Sequence, residues 1–305
     1  GGYSYLDDFE TTTSGIDLRS PYGWVLASTP FNNTSTGLFP EAALSNNIDY
    51  GKNRAQMAWF YIDGLFTRRN SSLTPTHIKN DKEQLSNHLV REIYEREIFP
   101  NKDAVYGEPP TIPVLNISFY PDERGPYNLD TNIDSKGKLL NPRNRWGGIT
   151  RRMDTRDFET ANIEYIEFWL MDPFVNDEFG MARGGDLYFN LGEISEDVLK
   201  DGKKFFENGL PVDGETTAVG TSVWGKYPIR QSTVYAFDNS HGNESRRVQD
   251  VGLNGLSTEE EKSFPAYSTY LNEIIPKLSN DALSRMQADK HSPLNDPSGD
   301  SFRHY

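Results

Sequence analysis

The chain has 305 residues, 35% of them hydrophobic, a net charge of −14 and no cysteine. That length can bury a sizeable core without staples, and the missing cysteine excludes disulfides, thiolate nucleophiles and cysteine-based zinc sites. The acidic balance excludes general binding to a phosphate backbone or to anionic lipid, so nucleic acid is not an expected partner and any anion site has to be local.

Aromatic and β-branched residues predict strands over Trp24–Ser28, Met57–Ile62, Ile112–Tyr120, Ile163–Met171, Asp186–Leu191 and Thr233–Phe237. In Ile163–Met171, the side chains of Ile166, Phe168 and Leu170 alternate with those of Ile163, Tyr165, Trp169 and Met171. Both faces need cover, so the segment reads as a central strand. Helical spacing of Leu85, Leu89 and Ile93, with Pro100 as a stop, predicts a helix between Asp81 and Phe99. A second is expected from Ser195, with Glu196 and Asp197 at its positive end, to Asn208-Gly209. Ser257 and Glu260 stand at capping-box spacing, and Asn280 is placed to cap a last helix through Lys290. Ser292 to Tyr305, rich in Pro, Gly, Asp and Ser, reads as a linker.

Strands without regular helix alternation predict a mainly β fold, an antiparallel β-sandwich with helical insertions and C-terminal helices. The expected division is a sandwich domain over 1–256 and a helical segment with linker over 257–305. Tyr5-Leu6-Asp7-Asp8-Phe9-Glu10, followed by Trp24 and Val25-Leu26-Ala27, is similar to the first strand of carbohydrate-binding modules of the galactose-binding-like jelly-roll type. No run approaches a membrane helix, and Gly1-Gly2-Tyr3-Ser4-Tyr5 lacks a charged or apolar leader. The polar mean hydropathy of −0.69 argues against a set of lipid-facing strands.

Arg143, Arg145, Arg151, Arg152 and Arg156 are interleaved with Trp146 and Gly147-Gly148. Arginine forks hold carboxylates bidentately and stack on aromatics, which makes Arg143, Arg145, Trp146, Arg151 and Arg152 the candidate partner-binding residues. The plainer reading is internal pairing with Asp154, Asp157 and Glu159. Asp7, Asp8, Glu10, Asp172, Asp177, Glu178 and Asp186 offer hard oxygen ligands for a structural calcium, but their spacing matches no EF-hand loop. Glu164 and Glu167, the best pair for glycoside hydrolysis, would fall on opposite faces of a strand. No Gly-x-Ser-x-Gly elbow or phosphate loop occurs, so no catalytic residue and no metal ligand is assigned.

A long ordered set of segments carries one further signal. It runs from Glu123-Arg124-Gly125-Pro126-Tyr127-Asn128 through Asn141-Pro142-Arg143-Asn144-Arg145-Trp146-Gly147-Gly148 and Asn162-Ile163-Glu164-Tyr165-Ile166-Glu167-Phe168-Trp169 to Gly184-Gly185-Asp186-Leu187-Tyr188-Phe189-Asn190, and ends at Asp296-Pro297-Ser298-Gly299-Asp300. This set resembles the SprA/Sov family, outer-membrane translocons of the type IX secretion system of Bacteroidetes. The resemblance implies a non-enzymatic aqueous domain of a cell-surface, outer-membrane protein that supports protein export and gliding motility. Its implied partners are the parent barrel, accessory subunits and cargo, with membrane contact only through that barrel and no cofactor beyond a structural calcium. The alternatives are a glycan-binding jelly-roll module and a glycosidase whose acids only the fold brings together.

Overall fold

A computed structural model describes residues 16–31, 38–67, 71–101, 111–155, 157–161, 163–175, 184–203, 210–230 and 238–301. In chain order the elements are β1 (Val25–Leu26), β2 (Ala55–Phe60), α1 (Thr76–Asn80), α2 (Lys82–Ser86), β3 (Ile93–Tyr94), α3 (Glu95–Ile98), β4 (Thr111–Ile112), β5 (Asn116–Arg124) and β6 (Ile149–Thr150). They continue with β7 (Val219–Thr221), β8 (Lys226–Pro228), α4 (Asn243–Gln249), α5 (Thr258–Ser263), α6 (Pro265–Ile274) and α7 (Asn280–Ala288).

Among the described residues the strands meet only in pairs: β1 with β6, β2 with β5, β3 with β4 and β7 with β8. Val25 lies opposite Thr150, Ile93 opposite Ile112 and Gly220 opposite Tyr227, all in antiparallel register. The expected β-sandwich of jelly-roll, galactose-binding-like type is therefore corrected. Strands make up 13% of the structure against 27% helix, and two-stranded sheets build no sandwich. The reason lies in the segments cast as inner strands. Ile163–Met171 and Asp186–Leu191 form no strand and sit in no ladder, and among the described residues no sheet grows past two strands. Tyr5–Glu10 of the jelly-roll-like start and the expected strand Thr233–Phe237 lie outside the described residues, while Val25–Leu26 of that start forms only the two-residue β1.

The chain divides into two units. The smaller comprises Gly1–Gly23, Trp59–Ile117 and Arg151–Gly192. Here the helix expected over Asp81–Phe99 is broken into α2 and α3 by side chains that compete for the backbone. Asp81 caps α2 by accepting the Gln84 amide at 2.9 Å, and Asn87 then accepts the Leu89 amide at 2.9 Å and turns the chain.

The larger unit comprises Trp24–Ala58, Ser118–Thr150 and Glu193–Tyr305. Its core gathers Leu26, Tyr50, Tyr127, Trp146, Trp224, Leu256, Tyr267 and Ile274, each buried. The capping box at α5 forms as expected: the Ser257 hydroxyl accepts the Glu260 amide while Glu260 accepts the Ser257 amide at 3.0 Å. Pro265 ends that helix and starts α6 at the one position where its missing N–H costs nothing. Tyr267, Tyr270, Leu271 and Ile274 then recur at three- and four-residue spacing and form the buried stripe of α6. The cap of α7 is Ser279, which accepts the Ala282 amide at 3.2 Å. No helix starts at Ser195 within 195–203. Asp197 instead accepts the amides of Lys200 and Gly202, both at 2.8 Å, and Lys200 adopts a φ of 54°.

Candidate functional site

The arginine loop does not act as one surface. Arg145 is buried; its guanidinium sits 2.6 Å from the Asp130 carboxylate and donates to the carbonyls of Lys52 at 2.6 Å and Leu140 at 2.8 Å. Trp146 is buried beside it, with Arg54 stacked 5.2 Å above its ring and Phe39 tilted against it at 5.9 Å. A methyl group at Gly147 would approach Met57 and Phe119 to 2.9 Å, so the loop's glycine there serves close packing. Arg143 is exposed. In the smaller unit, Arg151 donates to the Asp17 carbonyl at 3.0 Å and Arg152 is exposed. Arg156 lies outside the described residues. Bracing does occur, but Arg145 takes Asp130 as its partner, whereas Asp157 caps its own turn by accepting the Thr160 amide at 3.0 Å.

A second set of polar residues converges in the core of the larger unit. Tyr127 has a φ of 55°, a left-handed backbone that an aromatic residue adopts only when its surroundings hold it there. The Tyr127 amide donates to the Ser298 carbonyl at 2.6 Å, and its hydroxyl donates to the Asp300 carboxylate while accepting the Leu253 amide at 2.9 Å. Ser298 donates from its amide to Glu261 at 3.1 Å and from its hydroxyl to Asp300 at 2.6 Å. Asp296 accepts the amides of Gly299 at 3.0 Å and Ser301 at 3.2 Å. Arg124 reaches the same turn through the carbonyls of Asp296, at 2.9 Å, and Pro297. A stretch whose composition reads as a linker is thus built into the core, with Asp296 and Ser298 fully buried. Its Asp, Ser and Gly content serves turn hydrogen bonds within the fold. Burial, followed by the charge of Glu261, holds the Asp300 carboxyl well above the usual carboxylate range. Burial likewise raises Glu261 and pushes the hydroxyls of Tyr127 and Tyr267 well up.

The third feature is a surface in the smaller unit. Tyr165, Ile166, Phe168, Trp169, Leu170 and Met171 are exposed, Trp169 by 64% and Leu170 by 69%. Leu187, Tyr188, Phe189 and Leu191 are exposed as well, each by more than half. The two segments touch at one point, where the rings of Phe168 and Phe189 are 5.4 Å apart. Among the described residues, no backbone hydrogen bond joins either segment to a strand. The sequence identified both segments as strand-like but placed them inside; nothing in their alternation distinguishes cover by this chain from cover by another.

Glu164 and Glu167 are exposed on the first of these segments. In the larger unit, a cleft of about 200 Å³ is lined by Asp49, Lys52, Asp130, Thr131, Tyr270 and Glu273, where Asp130 already serves Arg145. Among the described residues no group of three or more His, Asp or Glu side chains is arranged to hold a metal ion. Asp172 accepts the Phe174 amide at 2.8 Å; Asp7, Asp8, Glu10, Asp177 and Glu178 lie outside the described residues. Among the described residues no helix is long and apolar enough to cross a membrane. Compared with known families and with curated proteins, the chain matches none of the family models and none of the curated sequences.

Proposed function

We propose that this chain is a non-catalytic part of an outer-membrane translocon of the type IX secretion kind, and that it joins β-strands of its parent through the segments 163–171 and 186–191. The observation that carries this reading is the exposed, unladdered pair itself. Extended backbone with free N–H and C=O groups is a template for strand addition. Large apolar side chains on it mark a surface that a partner covers.

Pattern and length support the same reading. Leu187, Phe189 and Leu191 share one side of their segment, while Asp186, Tyr188 and Asn190 share the other. At about 3.3 Å per residue, Ile163–Met171 paired as a strand would span roughly 30 Å, the reach of a strand in a barrel wall. A mean hydropathy taken over the whole chain does not register segments this short. The proposal therefore shifts the docking surface away from Arg143, Arg145, Trp146, Arg151 and Arg152, because Arg145 and Trp146 are occupied within the fold. The glycan-binding alternative drew on Asp8-Phe9-Glu10, Trp24 and a sandwich pattern, and among the described residues no sandwich forms.

The test replaces Phe168 and Phe189 by serine in the intact parent and follows export of a reporter cargo. Loss of export with the parent still present in the membrane is the expected result. Normal export from a normally assembled parent would remove the reading.

A further inference from the structure

The larger unit contains a buried group of acids around the turn after α7. Glu261 from α5 and Asp296 and Asp300 from the turn after α7 meet around one residue, Ser298. Ser298 donates its amide to Glu261 at 3.1 Å and its hydroxyl to Asp300 at 2.6 Å, and the same hydroxyl lies 3.4 Å from Asp296. Glu261 is 1% exposed and Asp296 is fully buried. Three carboxylates linked through one serine cannot all carry charge cheaply in such surroundings.

The other titratable and charged groups around them do not neutralise the set. Arg124 of β5 is the cation on this side. Its guanidinium lies 5.5 Å over the Tyr270 ring and donates to the carbonyls of Asn128, Asp296 and Pro297. Tyr127, from the turn after β5, donates to Asp300. Tyr267 of α6 donates to the Trp224 carbonyl at 2.9 Å and accepts from Asn254 at 2.9 Å, and that Asn254 amide also donates to Glu261 at 2.6 Å. Asp300 also packs closely on Gly252, where a methyl group would lie 1.9 Å from its carboxylate oxygen.

We infer that the turn Asp296–Asp300 is a proton-dependent latch, which stays closed on Tyr127 and α5 while Glu261 and Asp300 share at least one proton and opens when both are ionised. Opening would free the 292–301 stretch from the core and expose the Tyr127 and Leu253 amides. The direction follows from linkage. Both carboxyls hold their protons to higher pH in the folded chain than in the unfolded one, each chiefly through burial. Their contribution is fully present below the ordinary carboxylate range and is lost as pH rises through the folded values. The latch therefore weakens towards alkaline pH.

The test is amide hydrogen exchange of the full chain from about pH 5 to pH 8, corrected for intrinsic exchange rates and read at Tyr127, Leu253, Ser298 and Gly299. The latch predicts that protection at these amides falls by up to roughly tenfold per pH unit for each proton released, while amides of α7 hold steady. Asp300→Asn and Glu261→Gln should each flatten that fall and keep the protection seen at acid pH. Glu260→Gln, an exposed change on the same helix, should leave the fall intact. Flat protection across the range in the unsubstituted chain would overturn the inference even if a variant failed to fold, and so would an undiminished fall in both amide variants.

Discussion

Arg145 places a guanidinium nitrogen 2.6 Å from the carboxylate of Asp130, with the arginine side chain 3% exposed. The pair is the anchor of the loop Asn141–Gly148, and it explains why an arginine-rich stretch in an acidic chain faces inward at its centre. Removing one partner strands the other, which typically costs about 3–5 kcal/mol when the pair is buried. Because Asp130 keeps 20% of its side-chain surface, Arg145→Ala is expected at the low end, about 3 kcal/mol in urea denaturation. Arg143→Ala and Arg152→Ala, both at exposed positions, should stay within about 0.5 kcal/mol.

Tyr127→Phe should lower stability by about 1–3 kcal/mol, because Asp300 and the Leu253 amide each lose a buried partner while the ring's packing is kept. The ring stays edge-on to Trp224 at 6.1 Å, so tryptophan fluorescence gives a direct reading of thermal unfolding. A shift in midpoint within error of zero would show that this hydroxyl is not part of the core network.

Ser257→Ala removes one half of the reciprocal cap on α5 and should cost about 1 kcal/mol. Thr258→Ala, one residue further along the same helix, serves as the control and should be close to neutral. Equal losses in the two variants would show that the capping box is not what secures this end.

Gly255 has a φ of 64°, and a methyl group there would meet the Lys226 carbonyl at 2.2 Å. Strain and overlap with fixed backbone act together, so Gly255→Ala should destabilise the larger unit by several kcal/mol, on the order of the worst single substitutions. Gly184, with a φ of 72° but nothing near it, should tolerate alanine at a cost of about 1 kcal/mol. The comparison separates backbone strain from overlap, and similar losses at both positions would show that contact with Lys226 is unimportant.

What the sequence made legible follows range. The Ser257–Glu260 cap was readable because all its parts lie within one turn. The stripe Tyr267, Tyr270, Leu271 and Ile274 has the spacing of a buried helix face, yet Pro265 had to be recognised as a start to reveal it. The pairing of Arg145 with Asp130, and of Tyr127 with Asp300, joins residues whose meeting depends on tertiary packing that no local pattern encodes. Composition misled at Asp296–Asp300, because the residue types that make flexible connections also make tight, hydrogen-bonded turns. Alternation predicted strands over Ile163–Met171 and Asp186–Leu191, and neither segment forms one within this chain. It carried no information on which chain would supply the cover.

The most direct test of the account is hydrogen exchange at the amides of 164–171 and 186–191, measured once in this chain alone and once in the intact parent in its membrane. If these segments are strands awaiting neighbours, their amides should exchange at nearly unprotected rates in the isolated chain and become strongly protected in the parent. Equally fast exchange in both settings would contradict the account, because the exposed aromatic pair would then remain uncovered where it is supposed to act.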